Sequence, residues 1–252
     1  MSGHSKWASI KHKKAAVDAK KGKAFTKLIR EIMMAARGGG GNPDSNPRLR
    51  MAMEKGREFN MPADNIKRAI QKGTGEGTDI RMEEISYEGY GPAGVAIKLD
   101  VVTDNKRRTA AEIRAIFSKQ NGNLGEVGCV SWMFERKGQI SVPRAGTDED
   151  TLFAAAIESG ADDVVSEVEA FQIYGKPEIL EKVKQEIENK GIKTGSVSLT
   201  MVPKSTVKID GKDAEHLLRL LDALEDHDEV QTVYSNFEMS DELWEKLESQ
   251  SP

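Results

Sequence analysis

The stretch Val197-Ser198-Leu199-Thr200-Met201 decides the fold, because it closes a run of strand and helix signals over residues 138–202. Its apolar side chains fall on every second residue, which is the period of a strand with one buried face. The preceding residues predict, in order, a strand at 139–142, a helix at 148–159, strands around 164–165 and 171–174, and a helix from 177 to about 191. The order βαββαβ is that of a complete ferredoxin-like unit.

The residues on both sides of this unit predict a second α+β domain, which the unit interrupts. Upstream, residues 94–134 predict a strand, a helix and a second strand from Val127 to Phe134. Downstream, residues 206–234 predict a strand, a leucine-rich helix and a strand. The leucine stripe is too short for a coiled coil, so it predicts a face that packs in a core. The predicted boundaries are 79–134 and 203–240 for the discontinuous domain and 135–202 for the insertion.

Residues 1–75 predict a separate domain of three short helices. Over residues 25–36 the apolar positions recur three and four apart, as on one face of a helix, and the glycines at 38–41 end it. Asn46 predicts the N-cap of a second helix and Pro62 the start of a third. The predicted fold class is therefore multidomain: an N-terminal three-helix domain followed by two ferredoxin-like α+β domains, one inserted in the other.

The composition fits a folded protein of the cytoplasm. Of 252 residues, 38% are hydrophobic and 31% are charged, and no apolar stretch reaches the roughly 18 residues that cross a bilayer. The N-terminus lacks the apolar segment of a signal peptide. Cys129 is the only cysteine and lies in an apolar run, which predicts a buried structural thiol in a reducing compartment. We expect a cytoplasmic protein with no membrane partner.

The chain offers no pattern typical of a catalytic, cofactor or metal site. Its glycines form no phosphate-binding loop that ends in Lys and Ser or Thr, and no nucleophile-elbow sequence occurs. Cys129 and the four histidines stand at spacings that do not fit a zinc site. We therefore predict a non-enzymatic protein without a cofactor, a metal or a small-molecule substrate.

The net charge of −4 conceals a strong asymmetry along the chain. Residues 1–75 contain 17 Lys and Arg against six Asp and Glu, a net charge of +11. Residues 76–252 contain 20 basic and 35 acidic residues, a net charge of −15. A concentrated basic segment of this kind predicts a polyanionic partner, namely nucleic acid.

The N-terminal arm carries the strongest signal for that partner. Lysines along an arm each approach a phosphate and release its counterions, which gives affinity with little sequence reading. Trp7 stacks on an unpaired base or anchors the arm to the helices, and His12 contacts a phosphate or is solvated. The predicted nucleic-acid-binding residues of this domain are Lys6, Trp7, Lys11, His12, Lys13, Lys14, Lys20, Lys21, Lys23, Lys27, Arg30, Arg37, Arg48 and Arg50.

A second candidate cluster comprises Lys106, Arg107 and Arg108, which open the helix after the strand of residues 95–101. Cations in a first helical turn oppose the helix dipole, which favours a phosphate shared between these side chains and the exposed amides of the helix end. In the alternative interpretation, Asp104 caps the helix and the three cations only project into water.

Several motifs spread over residues 1–240 carry a family resemblance. They are Gly3–Trp7, Ile10–Lys14, Asp18–Lys23, Phe25–Glu31, Asn46–Arg50, Tyr87–Pro92, Thr103–Asn105 with Arg108-Thr109, Asn123–Gly125 and Gly128–Ser131. On these motifs the chain resembles the YebC/PmpR family of probable transcriptional regulators, which also includes a mitochondrial translational activator. The resemblance implies three domains, one nested in another, and no catalytic residues. For some members it implies DNA binding, and for others ribosome association that helps synthesis through proline runs.

The leading hypothesis is a DNA-binding transcriptional regulator of weak sequence specificity. The alternative is a ribosome-associated translation factor that binds ribosomal or transfer RNA with the same cations and relieves stalling. A third hypothesis is an adaptor whose acidic domains bind a protein. Phosphates look alike to lysine, so the sequence does not separate DNA from RNA, and it predicts no oligomeric state.

Overall fold

The computed structural model describes residues 18–75, 82–167, 169–240 and 242–244, and the side chains from residue 22 onward. The described residues form two compact units. One comprises residues 132–206, and the other comprises the residues up to 131 together with those from 207 onward. No helix in the described parts of the chain is long and apolar enough to cross a membrane.

The N-terminal domain consists of three helices, α1 (Asp18–Gly39), α2 (Pro47–Glu58) and α3 (Ala63–Gly73). Leu28 and Ile32 of α1 pack with Leu49 and Ile66 in a shared core, as the spacing of apolar residues predicts. Asn46 caps α2, because its side chain accepts a hydrogen bond from the Leu49 amide at 3.1 Å. It also donates to the carbonyls of residues 35 and 40, so one buried amide joins the end of α1 to the start of α2.

The domain that follows is a discontinuous α+β domain. Before the insertion it contains β1 (Glu83–Tyr90), β2 (Ala96–Thr103), α4 (Lys106–Lys119) and β3 (Asn123–Leu124). After the insertion it contains β8 (Val207–Lys208), α7 (Gly211–Glu225), β9 (Val230–Ser235) and β10 (Phe237–Glu238). The main sheet has the order β3-β1-β2-β9, and β8 pairs with β10. The leucines of α7 are buried against this sheet and α4, as predicted.

The prediction of a strand from Val127 to Phe134 is wrong. Residues 127–130 form a turn, a short 3-10 helix covers Ser131–Met133, and a strand begins only at Phe134. The physical reason is Glu88, whose carboxylate accepts hydrogen bonds from the amides of Gly128, Val130 and Ser131. Those amides are therefore not free to join a sheet. The strand that lies between β3 and β2 in the sheet is β1, which is not among the predicted strands.

The inserted domain has the predicted βαββαβ order. Its elements are β4 (Phe134–Pro143), α5 (Glu149–Ser159), β5 (Asp163–Ser166), β6 (Ala170–Gly175), α6 (Leu180–Asn189) and β7 (Val197–Pro203). The antiparallel sheet has the order β5-β6-β4-β7, which is the ferredoxin-like arrangement. Ile140 and Ile173 of the sheet pack on Leu152 of α5 and Ile187 of α6. The fold class is thus the predicted one, a helical domain followed by two α+β domains, one inserted in the other.

Candidate nucleic-acid interface

The predicted nucleic-acid-binding residues divide into three groups in the structure. The arm residues Lys6, Trp7, Lys11, His12, Lys13 and Lys14 lie outside the described residues, as do the side chains of Lys20 and Lys21. A second group makes contacts within the protein. Arg50 and Arg107 form the third group, because both are exposed and make no ion pair among the described residues.

Three cations of α1 contact a single acidic turn that follows α7. Lys23 pairs with Asp226 at 3.4 Å. Lys27 donates to the carbonyl of Glu225, and Arg30 donates to the carbonyl of Asp228. The polar side of α1 therefore faces the discontinuous α+β domain, and its positive charge meets the negative charge of residues 225–229.

Arg37 and Arg48 also bind groups of the discontinuous domain. Arg37 donates to the carbonyl of Met82, and Arg48 pairs with Glu84 and, at 3.2 Å, with Glu31. The hydrogen bond to Glu84 raises the pKa of the Arg48 guanidinium above its ordinary value. The contacts with Met82 and Glu84 join the helical domain to the start of β1.

At the start of α4, two of the three predicted cations have carboxylate partners. Lys106 pairs with Glu83, and Arg108 pairs with Asp104 at 2.8 Å and with Glu229. Asn105 caps the helix by accepting a hydrogen bond from the Arg108 amide. The cap that the alternative interpretation assigned to Asp104 therefore belongs to the next residue, and Asp104 binds Arg108 instead. We call Lys23, Lys27, Arg30, Arg37, Arg48, Lys106 and Arg108 the held cations.

Glu229 is the buried centre of the contacts around Arg108. It is 5% exposed, and its carboxylate also accepts a hydrogen bond from the Thr109 hydroxyl. Its own amide donates to Nδ1 of His227 at 3.2 Å, and Nε2 of that ring lies 3.0 Å from Glu112. These contacts form a continuous hydrogen-bonded network beside a cavity of about 400 Å³.

The side chains of Glu112, His227 and Glu229 are of metal-ligand type, and their donor atoms lie within 4.8 Å of one another. Two contacts argue against a metal here. Because Nδ1 of His227 accepts the amide hydrogen of Glu229, the ring proton is on Nε2, which then has no lone pair for a metal. Arg108 already supplies positive charge to Glu229. We interpret the cluster as an ion network.

A different set of cations, on α2 and α3, has no ion-pair partner among the described residues. Helices α2 and α3 contain seven Lys and Arg against three Asp and Glu. Six of the seven are exposed and pair with nothing among the described residues. These free cations are Arg50, Lys55, Arg57, Lys67, Arg68 and Lys72. Only Arg50 of these six is among the predicted nucleic-acid-binding residues, although all six side chains project from amphipathic helices.

A groove lies between α2 and α3 beside some of these free cations. Its volume is about 380 Å³. Met53, Met61, Ile66 and Ile70 contribute apolar side chains, and Arg57, Lys67 and Gln71 contribute polar ones. Periodicity alone marks Met53 and Ile70 as core residues, so the sequence signal for this groove is weak.

Cys129 lies beside the Glu88 carboxylate in the turn described above. Burial would raise the pKa of Glu88, but hydrogen bonds from the Ser131 hydroxyl and three backbone amides lower it. Burial, together with the Glu88 charge, raises the pKa of the Cys129 thiol. A thiol that resists ionisation is a poor nucleophile. Cys129 is only half-buried, so the predicted burial of this thiol is partial, and its structural role stays a prediction.

The fold therefore defines a modular protein with one basic three-helix domain and two acidic α+β domains. Residues 5–76 match the family described as TACO1/YebC protein N-terminal domain, and residues 82–237 match TACO1/YebC second and third domain. The chain therefore belongs to the TACO1/YebC family, as its motifs indicate.

Relatives of similar length carry regulatory names. A probable transcriptional regulatory protein of Dictyoglomus turgidum is 54% identical over 248 residues, covering 98% of this chain and 100% of that protein. One from Geobacter sulfurreducens is 53% identical over 247 residues, with the same coverage. The crystal structure of the conserved hypothetical protein Aq1575 from Aquifex aeolicus matches with a TM-score of 0.83 and 49% identity, covering 90% of this chain and 94% of that one.

Proposed function

We propose that this protein is a non-enzymatic regulator of transcription that binds DNA through its basic N-terminal helical domain. The observation that carries the proposal is the set of six free cations on α2 and α3. Because these cations have no ion-pair partner among the described residues, a phosphate can bind them without breaking an existing ion pair. The names of its relatives support a regulatory role. We place this activity in the cytoplasm, where the reduced form of Cys129 is maintained.

Each of the three predicted domains has its own role in the proposed function. Residues 1–75 bind phosphates, and the arm lysines add further phosphate contacts. The discontinuous domain of residues 79–134 and 203–240 holds α1 through its acidic turn. Its negative charge, with that of the inserted domain of residues 135–202, repels phosphate and so directs nucleic acid to the helical domain.

A salt titration of the full chain tests the proposal. With about six phosphates neutralised, the slope of log K against log salt for duplex DNA is about −5. Fluorescence anisotropy with a labelled duplex measures this slope, and the control is the variant in which all six free cations become glutamine. That variant should have a much shallower slope and an unchanged circular dichroism spectrum.

Ribosomal RNA is the second probe in the same experiment. Binding of ribosomal RNA without binding of duplex DNA would move the function to the ribosome-associated alternative. If neither nucleic acid binds in a salt-dependent manner, the proposed function is wrong.

A further inference from the structure

The groove between α2 and α3 has an apolar lining that the helical core does not fully cover. Met61 and Ile66 are 5% exposed, and Met53 and Ile70 are half-buried beside them. Methionine side chains are unbranched and polarisable, so they adapt to a flat ring as readily as to another side chain. An apolar group that enters the groove removes these surfaces from water.

The polar part of the groove is cationic. Arg57 comes from α2 and Lys67 from α3, and none of the described residues places a carboxylate in the lining of the groove. The cavity beside α1 is the opposite case, because four carboxylates line it together with Lys23, Arg30 and Arg108. A phosphate is repelled by those four carboxylates, whereas the groove between α2 and α3 presents it only positive charge. The groove therefore combines an apolar surface with binding sites for phosphate.

We infer that this groove accepts one unstacked base of a single-stranded nucleic acid, with the flanking phosphates on Arg57 and Lys67. This inference rests on the proposed nucleic-acid binding and assigns the form of nucleic acid. A base inside a duplex is stacked and paired, so its faces cannot reach the apolar lining, whereas a base in a single strand can turn outward. The Gln71 amide both donates and accepts, so it suits the polar edge of a base.

The size of the groove favours a base over a peptide helix. A helix that docks in a groove uses apolar anchors over about two turns and needs a long apolar channel. Here about 380 Å³ is bordered by two well-buried and two half-buried apolar residues. That volume lies at the small end of the range for ligand pockets, roughly 300–1,000 Å³, and suits a single planar ring.

The test compares a single-stranded oligonucleotide with an abasic strand of the same length, which keeps the phosphates but lacks the bases. Both a thymidine and a uridine series are measured by anisotropy with the full chain. We expect the base-containing strand to bind about tenfold more tightly, the lower end of the range for base contacts, because the groove has no aromatic ring. Equal affinity for the two strands would overturn the inference. Failure of both strands to bind would also overturn it, and the proposed function would fall with it only if duplex DNA and ribosomal RNA fail to bind as well.

Two variants locate the effect in the groove. Ala63 lines the groove and is exposed, so Ala63→Leu fills the space without a change of charge. It should remove the difference between the two strands by lowering the affinity for the base-containing strand. The matched control is Ala115→Leu on α4, which is exposed and far from the groove in the chain. It should leave the tenfold difference intact.

A third variant keeps the test decisive if Ala63→Leu perturbs the helix start. Gln71→Leu removes the amide, and it should reduce the preference for bases over abasic strands while the salt slope stays the same. A preference that survives in both groove variants would overturn the inference. So would an acidic helical peptide that binds the wild-type chain more tightly than the oligonucleotide and is displaced by Ala63→Leu, because the groove would then serve a protein partner.

Discussion

Helix α1 and the pair α2–α3 carry similar numbers of cations but use them differently. Lys23, Lys27 and Arg30 of α1 contact the acidic turn after α7. Arg57 and Lys67, on α2 and α3, line a groove to which no described residue contributes a carboxylate. The difference shows that the net charge of a domain does not by itself locate an interface. A cation is available to phosphate only when the folded protein has not already given it a partner.

The same comparison gives a structural role to the acidic residues of the discontinuous domain, which bind cations of the basic helical domain. The held cations of α1 and α2 join the helical domain to the discontinuous domain through contacts between residues far apart in the chain, such as Lys23 and Asp226. Most of these pairs are half-exposed, so each adds about 1 kcal/mol or less to stability. The free cations have no ion-pair partner among the described residues, and we propose that they contact the polyanion.

The largest effect that we predict concerns the centre of the held network. Glu229→Ala removes a buried carboxylate that accepts hydrogen bonds from Arg108 and Thr109, so the free energy of unfolding should fall by about 3 kcal/mol. Urea unfolding monitored by circular dichroism measures this. The control is Glu112→Ala, whose side chain is 47% exposed and should cost about 0.5 kcal/mol. Equal costs for both variants would show that burial of Glu229 contributes nothing.

The next effect compares three free with three held cations. Glutamine at Arg57, Lys67 and Arg68 should lower the affinity for nucleic acid about a hundredfold at low salt and make the salt slope shallower by almost three, because three phosphate contacts are lost. Glutamine at Lys23, Lys27 and Arg30 should lower the affinity only severalfold. Anisotropy at several salt concentrations measures both variants. A larger loss of affinity in the variant of the held cations than in the variant of the free cations would contradict the distinction between the two sets.

The sequence predicts those features of the fold that depend on local periodicity. The period of α1, the cap at Asn46 and the βαββαβ order of the insertion all follow from residues close together in the chain. The strand predicted at 127–134 fails because Glu88, some 40 residues upstream, binds the amides of that segment. A hydrogen bond of that separation leaves no periodic signal, and neither does β1, whose first residues are charged.

The candidate nucleic-acid interface is likewise predictable from the sequence only in its local features. The sign and the location of the excess charge are visible in the sequence, but the division into held and free cations is not. Arg48 and Arg50 are two residues apart on α2, and only Arg48 has carboxylate partners, Glu31 and Glu84. Which of the two is free depends on the packing of the helical domain against β1. Composition therefore predicts the kind of ligand, while the surface that binds it needs the tertiary structure.

The smallest effect is the most direct test of the distinction between held and free cations. Asp226→Asn removes the carboxylate that pairs with Lys23, whose side chain is 46% exposed. The released lysine can approach a phosphate, so the affinity for nucleic acid should rise about twofold, consistent with the small energy of an exposed pair. Asp213→Asn is the matched control, because it makes the same change of charge at an exposed position of α7 where no ion pair is broken. A rise that is the same for both variants would be a long-range effect of net charge, and Lys23 would then have been available to phosphate from the start. A rise confined to Asp226→Asn would instead mean that the acidic turn competes with nucleic acid for α1, because only that substitution frees a cation.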